Sequence, residues 1–300
     1  MTRRELINLL GFAVLPPAMR LGGANDSAIE RRYRADAQIL ILSIPILRRS
    51  GVGGGSVAWR EWREQAGGMR LLEFTGYSNP ERAAGLNRLG FIREQSCRDG
   101  DSRGESNYFG VMTASPEESA EEAHQALHSK ATEATYTAIE GRIAQGHIET
   151  ASAHFTGPAK LSTAQRNELF RRAEQALTAA PRKPAEFHLD GAVPPTFLQA
   201  LADGLRNPAQ GPLHYVYGGR LYLLWLKPTR DEGAANYFRQ KGVLRGGAKV
   251  MRITGKVRRQ YGGKEINFRI WIEEEAIRPL PLRIDFAPKS YLRLIFEAEG

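Results

Sequence analysis

Strict alternation of apolar and polar residues near the C-terminus is the feature that most constrains the fold. Four apolar side chains would share one face of an extended segment, Ile266, Phe268, Ile270 and Ile272, opposite Asn267, Arg269, Trp271 and Glu273. Segment 292–298 repeats the pattern, with Leu292, Leu294, Phe296 and Ala298 on one side. A sheet made of such strands has one apolar face. That face must be covered by helices or must curl around something apolar.

The same reasoning predicts a strand-rich C-terminal part at 213–298. Its strands are expected at 213–217, 221–227, 249–260, 265–275, 282–286 and 291–298. Gly218-Gly219 and Gly262-Gly263 stand where tight hairpin turns would lie.

The N-terminal half predicts fewer strands. A hairpin is expected over 29–57, with Pro45 at an edge or bulge and glycines 51–55 as a loose turn before a strand at 56–62. Further strands are expected at 70–77 and 108–112 and as a pair within 136–154. Residues 98–106 are polar and read as a surface loop.

Helices are predicted near 80–90, 116–129, 162–178 and 194–205. The helices at 116–129 and 162–178 each start at a capping box, which runs from Ser115 to Glu118 in the first and from Ser162 to Gln165 in the second. Together these elements predict an α+β protein. Its core would be a strongly curved antiparallel sheet resembling an incomplete barrel, with helices packed on one face. Residues 25–300 would form one such domain, with a helical middle segment at about 160–206.

The first 24 residues have the three-part composition of a removable signal peptide. Arg3-Arg4 precede an apolar run that is too short to span a membrane, and small residues follow near Ala24. Paired arginines followed by apolar residues resemble the twin-arginine export pattern. Asn8 stands where that pattern usually has lysine, so general secretion stays open as an alternative. We expect an exported protein of the periplasm or cell envelope.

Charge favours an anionic partner without naming one. The formal net charge is +9; the leader holds +2 of it, from Arg3, Arg4 and Arg20 against Glu5, which leaves about +7 for the remainder. The positive residues are scattered, and aromatic residues spaced as stacking platforms are missing, so nucleic acid is not expected as a partner. An anionic membrane surface fits an envelope protein better.

No catalytic constellation is visible in the sequence, so neither an enzyme nor a cofactor is predicted. His124 and His128 fall on one face of a predicted helix and are weak candidates for a metal site. Gln125 occupies the place where a zinc protease needs glutamate as its general base. Cys97 is the single cysteine and cannot form an internal disulfide.

The C-terminal segments resemble an uncharacterised envelope family of the DUF3108 type. The similarity lies in the strand 267–272, in the run Arg278-Pro279-Leu280-Pro281-Leu282-Arg283-Ile284 and in Leu292-Arg293-Leu294. The resemblance transfers no catalytic residue. By analogy of architecture it implies the curved sheets of the LolA/LolB-like lipoprotein carriers, which hold an acyl chain in an apolar concavity.

The leading functional hypothesis is therefore binding of a lipid or other hydrophobic ligand in the curved sheet. The candidate lining residues are Leu224, Ile266, Phe268, Ile270, Leu294 and Phe296, which would serve equally well as an ordinary core. Two alternatives remain: an exported hydrolase with an unfamiliar site, and an envelope assembly protein without a pocket.

Export can be tested directly. Protein recovered from the envelope should begin within a few residues of Ala24, and replacing both Arg3 and Arg4 with lysine should retain the protein in the cytoplasm if the twin-arginine route is used. Cell fractionation with N-terminal sequencing measures both. Recovery of an unprocessed N-terminus from the envelope would contradict cleavage, and normal export of the lysine variant would indicate the general secretory route.

Overall fold

The computed structural model describes residues 27–41, 44–64, 67–79, 82, 88–99, 102–114, 132–144, 147–159, 161–186, 194–208, 211–290 and 292–300. The strands in these ranges are β1 (Ser27–Ile41), β2 (Ile44–Glu64), β3 (Gly67–Ser78), β4 (Leu89–Asp99), β5 (Ser102–Thr113), β6 (Glu133–Ala144), β7 (His147–Pro158), β8 (Lys183–Glu186), β9 (Leu213–Tyr217), β10 (Arg220–Arg230), β11 (Val250–Arg259), β12 (Ile266–Glu273), β13 (Arg283–Lys289) and β14 (Leu292–Ala298). The helices are α1 (Thr163–Ala179), α2 (Phe197–Arg206) and α3 (Glu232–Gln240).

All of these strands belong to one antiparallel sheet. Its order is β8-β7-β6-β5-β4-β3-β2-β1-β14-β13-β12-β11-β10-β9. The N-terminal and C-terminal series of strands meet where β1 pairs with β14, in a register that places Tyr33 opposite Ala298. The sheet does not close, and β8 and β9 are its two edges.

The sheet rolls up until its two ends overlap. In a flat sheet β9 would lie ten strand positions from β5, about 48 Å at about 4.8 Å per strand. Instead, the backbone N–H of Gly218 donates to the Tyr108 hydroxyl of β5 at 3.0 Å, and the Tyr108 and Tyr217 rings lie 5.4 Å apart. Val216 and Leu221 pack against Ile143 and Ile148 of β6 and β7. The outer face of one end therefore covers the inner face of the other, as in a scroll.

Aromatic rings on the inner face lie against glycines of neighbouring strands. The Tyr108 ring occupies the space that a Cβ at Gly141 would need, and the Phe268 ring does the same at Gly255. Phe296 packs in this way over both Gly55 and Gly76 of β2 and β3. Because glycine has no side chain, each ring can lie close to the strand backbone, which keeps the aromatic layer thin.

The helices are divided between the two faces of the sheet. Helix α1 packs on the outer face of β6 and β7, where Leu169 and Leu177 meet Tyr136. Helix α3 packs on the outer face near Trp271, which contacts Phe238. Helix α2 lies inside the roll and contacts β3, β9 and β10.

The predicted class, an α+β protein with an open, curved antiparallel sheet, is confirmed; the helices occupy both faces rather than one. Helix α1 begins at the predicted capping box. The backbone N–H of Gln165 donates to the Ser162 hydroxyl, and the backbone N–H of Ser162 donates to the side-chain oxygen of Gln165. The C-terminal strands follow the predicted segments within a few residues. Pro45 lies beside a register shift, in a part of β2 that pairs with β1 only, as predicted.

Three predictions in the N-terminal half are wrong. Glycines 53–55 lie inside β2, which runs on through them, because close approach of β1, β3 and the Phe296 ring requires residues without side chains. Residues 98–106 form the end of β4 and the start of β5 rather than a surface loop. Leu89 and Gly90 begin β4, so the helix predicted at 80–90 cannot extend to its stated end.

Helix α3 was not predicted, although Asp231 caps it through the backbone amide of Ala234. Most of the helix predicted at 80–90, all of the helix at 116–129 and the leader 1–24 lie outside the described residues. None of the helices in the described ranges combines the length and the apolar composition needed to cross a bilayer.

The close contact between Gly255 and the Phe268 ring predicts that alanine is tolerated less well at this position than at a glycine with open space around it. Gly255→Ala should lower the free energy of unfolding by about 1–3 kcal/mol, because the new methyl group overlaps the Phe268 ring. Gly246→Ala is the matched control, since its position is exposed and open. Urea denaturation of both variants measures the difference. Equal stability of the two variants would contradict the packing described.

Candidate functional site: the concave face

All six sequence-predicted lining residues lie on the concave face. The strand register places Leu294, Phe286 and Phe268 in one row across β14, β13 and β12. In the next row, Phe296 and Ile270 lie on either side of Ile284. In a third row, Val257 lies between Ile266 and Leu224. Since side chains alternate along a strand, residues opposite one another in register share a face. Whether these residues contact a ligand remains a prediction.

Four of the six are buried in the protein's own core. Leu224 and Ile270 are 0% and 2% exposed and pack with Ala200 and Leu205 of α2. Phe268 and Phe296 are buried against the sheet glycines. These four residues therefore form the floor of the concave face and act mainly in folding.

Among the described residues, the concave face is partly exposed to solvent at one end of the roll, which we call the open end. This end carries the turns β9–β10, β11–β12 and β13–β14. Ile266 is 36% exposed there, and other side chains of the same face are partly exposed, namely Phe74, Ile92, Tyr217, Tyr222, Phe286 and Leu294. Neighbouring apolar side chains that stay in contact with water offer a surface for an apolar ligand.

Helix α2 fills the opposite end, which we call the closed end and which carries the turns β2–β3, β6–β7 and β12–β13. Ala202 packs there with Trp59, Leu72 and Leu280, all of them buried. A ligand entering from the open end would therefore stop at α2.

The carboxyl group of Glu94, on β4, caps helix α2 from outside the helix. Its Oε2 accepts from the Thr196 hydroxyl at 2.5 Å and from the Gln199 amide at 3.0 Å. Thr196 occupies the N-cap position, but its side chain makes no capping bond; its hydroxyl donates to Glu94. Glu94 thus provides the side-chain acceptor that the unsatisfied amide groups of a helix N-terminus require.

Burial changes the acid–base behaviour of Glu94. The side chain is 0% exposed, and this desolvation raises the pKa of its carboxyl group to about 7 even though the hydrogen bonds from α2 act in the opposite direction. Burial also raises the pKa values of Tyr108, Tyr215 and Tyr217, and the charge of Glu94 adds to the effect. Within the described residues Glu94 Oε1 has no hydrogen-bond partner.

A second set of polar contacts ties α2 to β2 and β3. The guanidinium group of Arg70, 4% exposed, donates to Glu61 at 3.0 Å, to Asp203 at 2.7 Å and to Gln199 at 3.3 Å. Arg206 of α2 lies over the Trp59 ring at 4.4 Å. Partial burial alone would raise the pKa of Glu61, but the charges of Arg206 and Arg70 reverse this and hold it below its usual value. These ion pairs stabilise α2 in its place inside the roll.

The other candidates from sequence are not brought together. His124 and His128 lie outside the described residues. Cys97 is partly buried on β4, where it pairs with Met69. In the part of the chain that the structure describes, no three residues among His, Cys, Asp and Glu are arranged to hold a metal ion.

Sequence reasoning missed Glu94, Arg70 and Gln199. No element was predicted at 91–97, because the run Arg93-Glu94-Gln95-Ser96 is polar throughout and shows no alternation. No local pattern connects Glu94 with a helix that begins about one hundred residues later.

The raised pKa of Glu94 predicts how stability depends on pH. The folded chain keeps this carboxyl protonated up to about pH 7, whereas the unfolded chain ionises it near 4.5, so folding takes up a proton between these values. The free energy of unfolding should therefore fall as pH rises from about 4.5 to 7, by about 3 kcal/mol at most. Glu94→Gln keeps a neutral side chain of the same shape and should remove this part of the pH dependence.

Denaturation in urea at several pH values between 5 and 8 measures the effect. Glu149→Gln is the control, because it removes an exposed carboxylate. If wild type and Glu94→Gln lose the same stability over this range, Glu94 is ionised throughout and the argument fails.

Comparison with known proteins shows little similarity in sequence. No protein-family model matches the chain, and no curated protein matches it. The DUF3108-type resemblance therefore stays a hypothesis. Among solved structures, the chain is similar to a β-barrel-like protein of domain of unknown function DUF1849 from Brucella abortus. The two share 9% sequence identity over 90% of this chain and 94% of that chain, with a TM-score of 0.45. A likeness at this level carries no information about function.

Proposed function

We propose that this protein binds a lipid acyl chain, or another elongated apolar molecule, at the open end of its concave face. The observation that carries the proposal is the row of apolar side chains that remain partly exposed there, among them Ile266, Leu294 and Phe286. They come from separate strands yet share one face, so together they form a continuous surface rather than scattered apolar residues.

The length of a ligand bound on the concave face would be limited. Helix α2 and the core residues Leu224 and Ile270 block the closed end. Each buried methylene group contributes about 0.8 kcal/mol. A segment of eight methylenes would then gain roughly 6 kcal/mol before the entropic cost of association is subtracted. Because 6 kcal/mol corresponds to a Kd of roughly tens of micromolar even before that subtraction, we expect an affinity in the high micromolar range or weaker.

We propose further that the protein acts after export, in the periplasm or cell envelope, and that its role is binding rather than catalysis. The signal-peptide composition of residues 1–24 supports the location. The DUF3108-type resemblance, with the carrier architecture that it implies, supports the same class of ligand. An exported hydrolase or an assembly protein without a pocket remains the alternative, and no contact among the described residues favours either.

Titration with cis-parinaric acid, a fluorescent fatty acid, tests the binding site. Ile266→Arg places a charge among the exposed apolar side chains and should raise the Kd about five-fold or more, since part of an isoleucine's apolar contact is lost. Ile277→Arg is the matched control. Ile277 is 84% exposed in the turn between β12 and β13, at the closed end, so the control should bind as the wild type does.

Equal Kd values for the two variants would place the ligand elsewhere, and no fluorescence change with the wild type would end the proposal. Native mass spectrometry of protein purified from its envelope adds an independent measurement, in which a co-purifying lipid is the expected result.

A further inference from the structure

The convex face of the sheet carries two buried aspartates, each surrounded by arginines. Asp285 on β13 is 4% exposed. It accepts from Arg283 at 2.7 Å and from Arg293 at 3.0 Å, and Arg269 lies at 3.6 Å. One carboxylate thus faces three guanidinium groups from three adjacent strands.

A similar group lies two strands away. Asp36 on β1 is 5% exposed and accepts from the Gly51 amide at 2.8 Å. Arg48 approaches it to 3.4 Å and Arg34 to 3.7 Å. The register aligns Asp36 and Asp285 on either side of Ile295, which puts the aspartate backbones about 10 Å apart. The two groups therefore form one surface, which we call the arginine surface: Arg34, Asp36, Arg48, Arg269, Arg283, Asp285 and Arg293.

The arginine surface has an excess of positive charge and of hydrogen-bond donors. Five guanidinium groups face the two aspartates and Glu297, which lies opposite Arg34 in the register and 4.0 Å from Arg283, so the net charge is +2. Arg34, Arg48 and Arg269 keep 51%, 62% and 42% of their side chains exposed. A guanidinium group has five N–H donors, and the contacts with Asp36 and Asp285 occupy only some of them. The remaining donors are available to an incoming anion.

The aspartates hold Arg283 and Arg293 by hydrogen bonds and Arg48 by a longer one at 3.4 Å, and they form ion pairs with Arg34 and Arg269 at 3.7 and 3.6 Å. An arginine that is already hydrogen-bonded has lost part of its side-chain freedom, so less entropy is lost when it binds a second anion. The planar guanidinium group matches the oxygen atoms of a phosphate in bidentate geometry. The arginine surface is therefore better suited to phosphate groups than the same number of freely moving lysines would be.

We propose that the arginine surface docks on a membrane that contains anionic phospholipids, with the lipid phosphates as its ligands. The arginines come from five adjacent strands, β12, β13, β14, β1 and β2, so they can contact several phosphates at once. Nucleic acid is the less favoured polyanion, because the aromatic ring next to these arginines, Trp271, is only 8% exposed and cannot stack on a base. The proposal does not depend on the binding of an apolar ligand at the open end, since it concerns the opposite face.

Co-sedimentation with vesicles tests the proposal. The full-length mature protein should sediment with vesicles of which about a third is phosphatidylglycerol, and much less with pure phosphatidylcholine. Salt at roughly 0.5 M should release it. The variant Arg48→Gln/Arg269→Gln should lower the partition coefficient about ten-fold or more. It leaves Asp36 its contacts with Gly51 and Arg34, and Asp285 its contacts with Arg283 and Arg293.

The variant Arg171→Gln/Arg172→Gln is the matched control, because it removes the same charge from exposed positions on α1. It should bind nearly as the wild type does. Equal losses in the two double variants would show a response to net charge alone and would overturn the proposal. Binding of single-stranded DNA at the same salt concentration, lost with Arg48 and Arg269, would also overturn it in favour of nucleic acid.

A second measurement uses the wild-type chain in case the variant folds poorly. Arginine modification by phenylglyoxal, read by peptide mass spectrometry, should be slowed at Arg48 and Arg269 by phosphatidylglycerol vesicles and not by phosphatidylcholine. Unchanged modification at both residues would contradict docking through this surface.

Discussion

The contact between Glu94 and the N-terminus of α2 is the interaction on which the rest of the structure depends. The helix lies inside the roll, where water cannot satisfy its first amide groups, so a carboxylate from β4 satisfies them instead. Arg70 holds the other side of the helix through Asp203. With α2 fixed in this way, Ala200 and Leu205 complete the core beneath the sheet. Without it, the concave face would be exposed along its whole length.

Alternation of side chains along the strands separates the apolar residues of the concave face from the charged residues of the convex face. In β12, Ile270 points to the concave face and Arg269 to the convex face. The same parity gives the concave side its apolar residues and the convex side its arginines across β13 and β14. A shift of one residue in pairing would exchange the two faces. The register between β1 and β14 therefore fixes both surfaces together, although the two strands come from opposite ends of the chain.

The sequence predicts the parts of this structure that depend on near neighbours. The capping box at Ser162 and the C-terminal hairpins follow from residues within a few positions of one another. The class of fold follows from alternation alone. The concave position of residues such as Leu294 follows because every second side chain of a strand points to the same face. The role of Glu94 does not, since it joins a strand to a distant helix. The glycines of β2 were misread because the groups that they meet lie on other strands: Tyr77 at Gly53 and Gly54, and the Phe296 ring at Gly55.

The overlap of Val216 and Leu221 with Ile143 and Ile148 has a mechanical consequence. In a closed cylinder of strands, the number and stagger of the strands set the diameter, and no adjustment is possible without breaking hydrogen bonds. Here side-chain packing and the hydrogen bond from Gly218 to Tyr108 replace the final ladder. The width of the interior is therefore set by the side chains that meet at the overlap, and substitutions at these few positions would alter it without disturbing any strand pair.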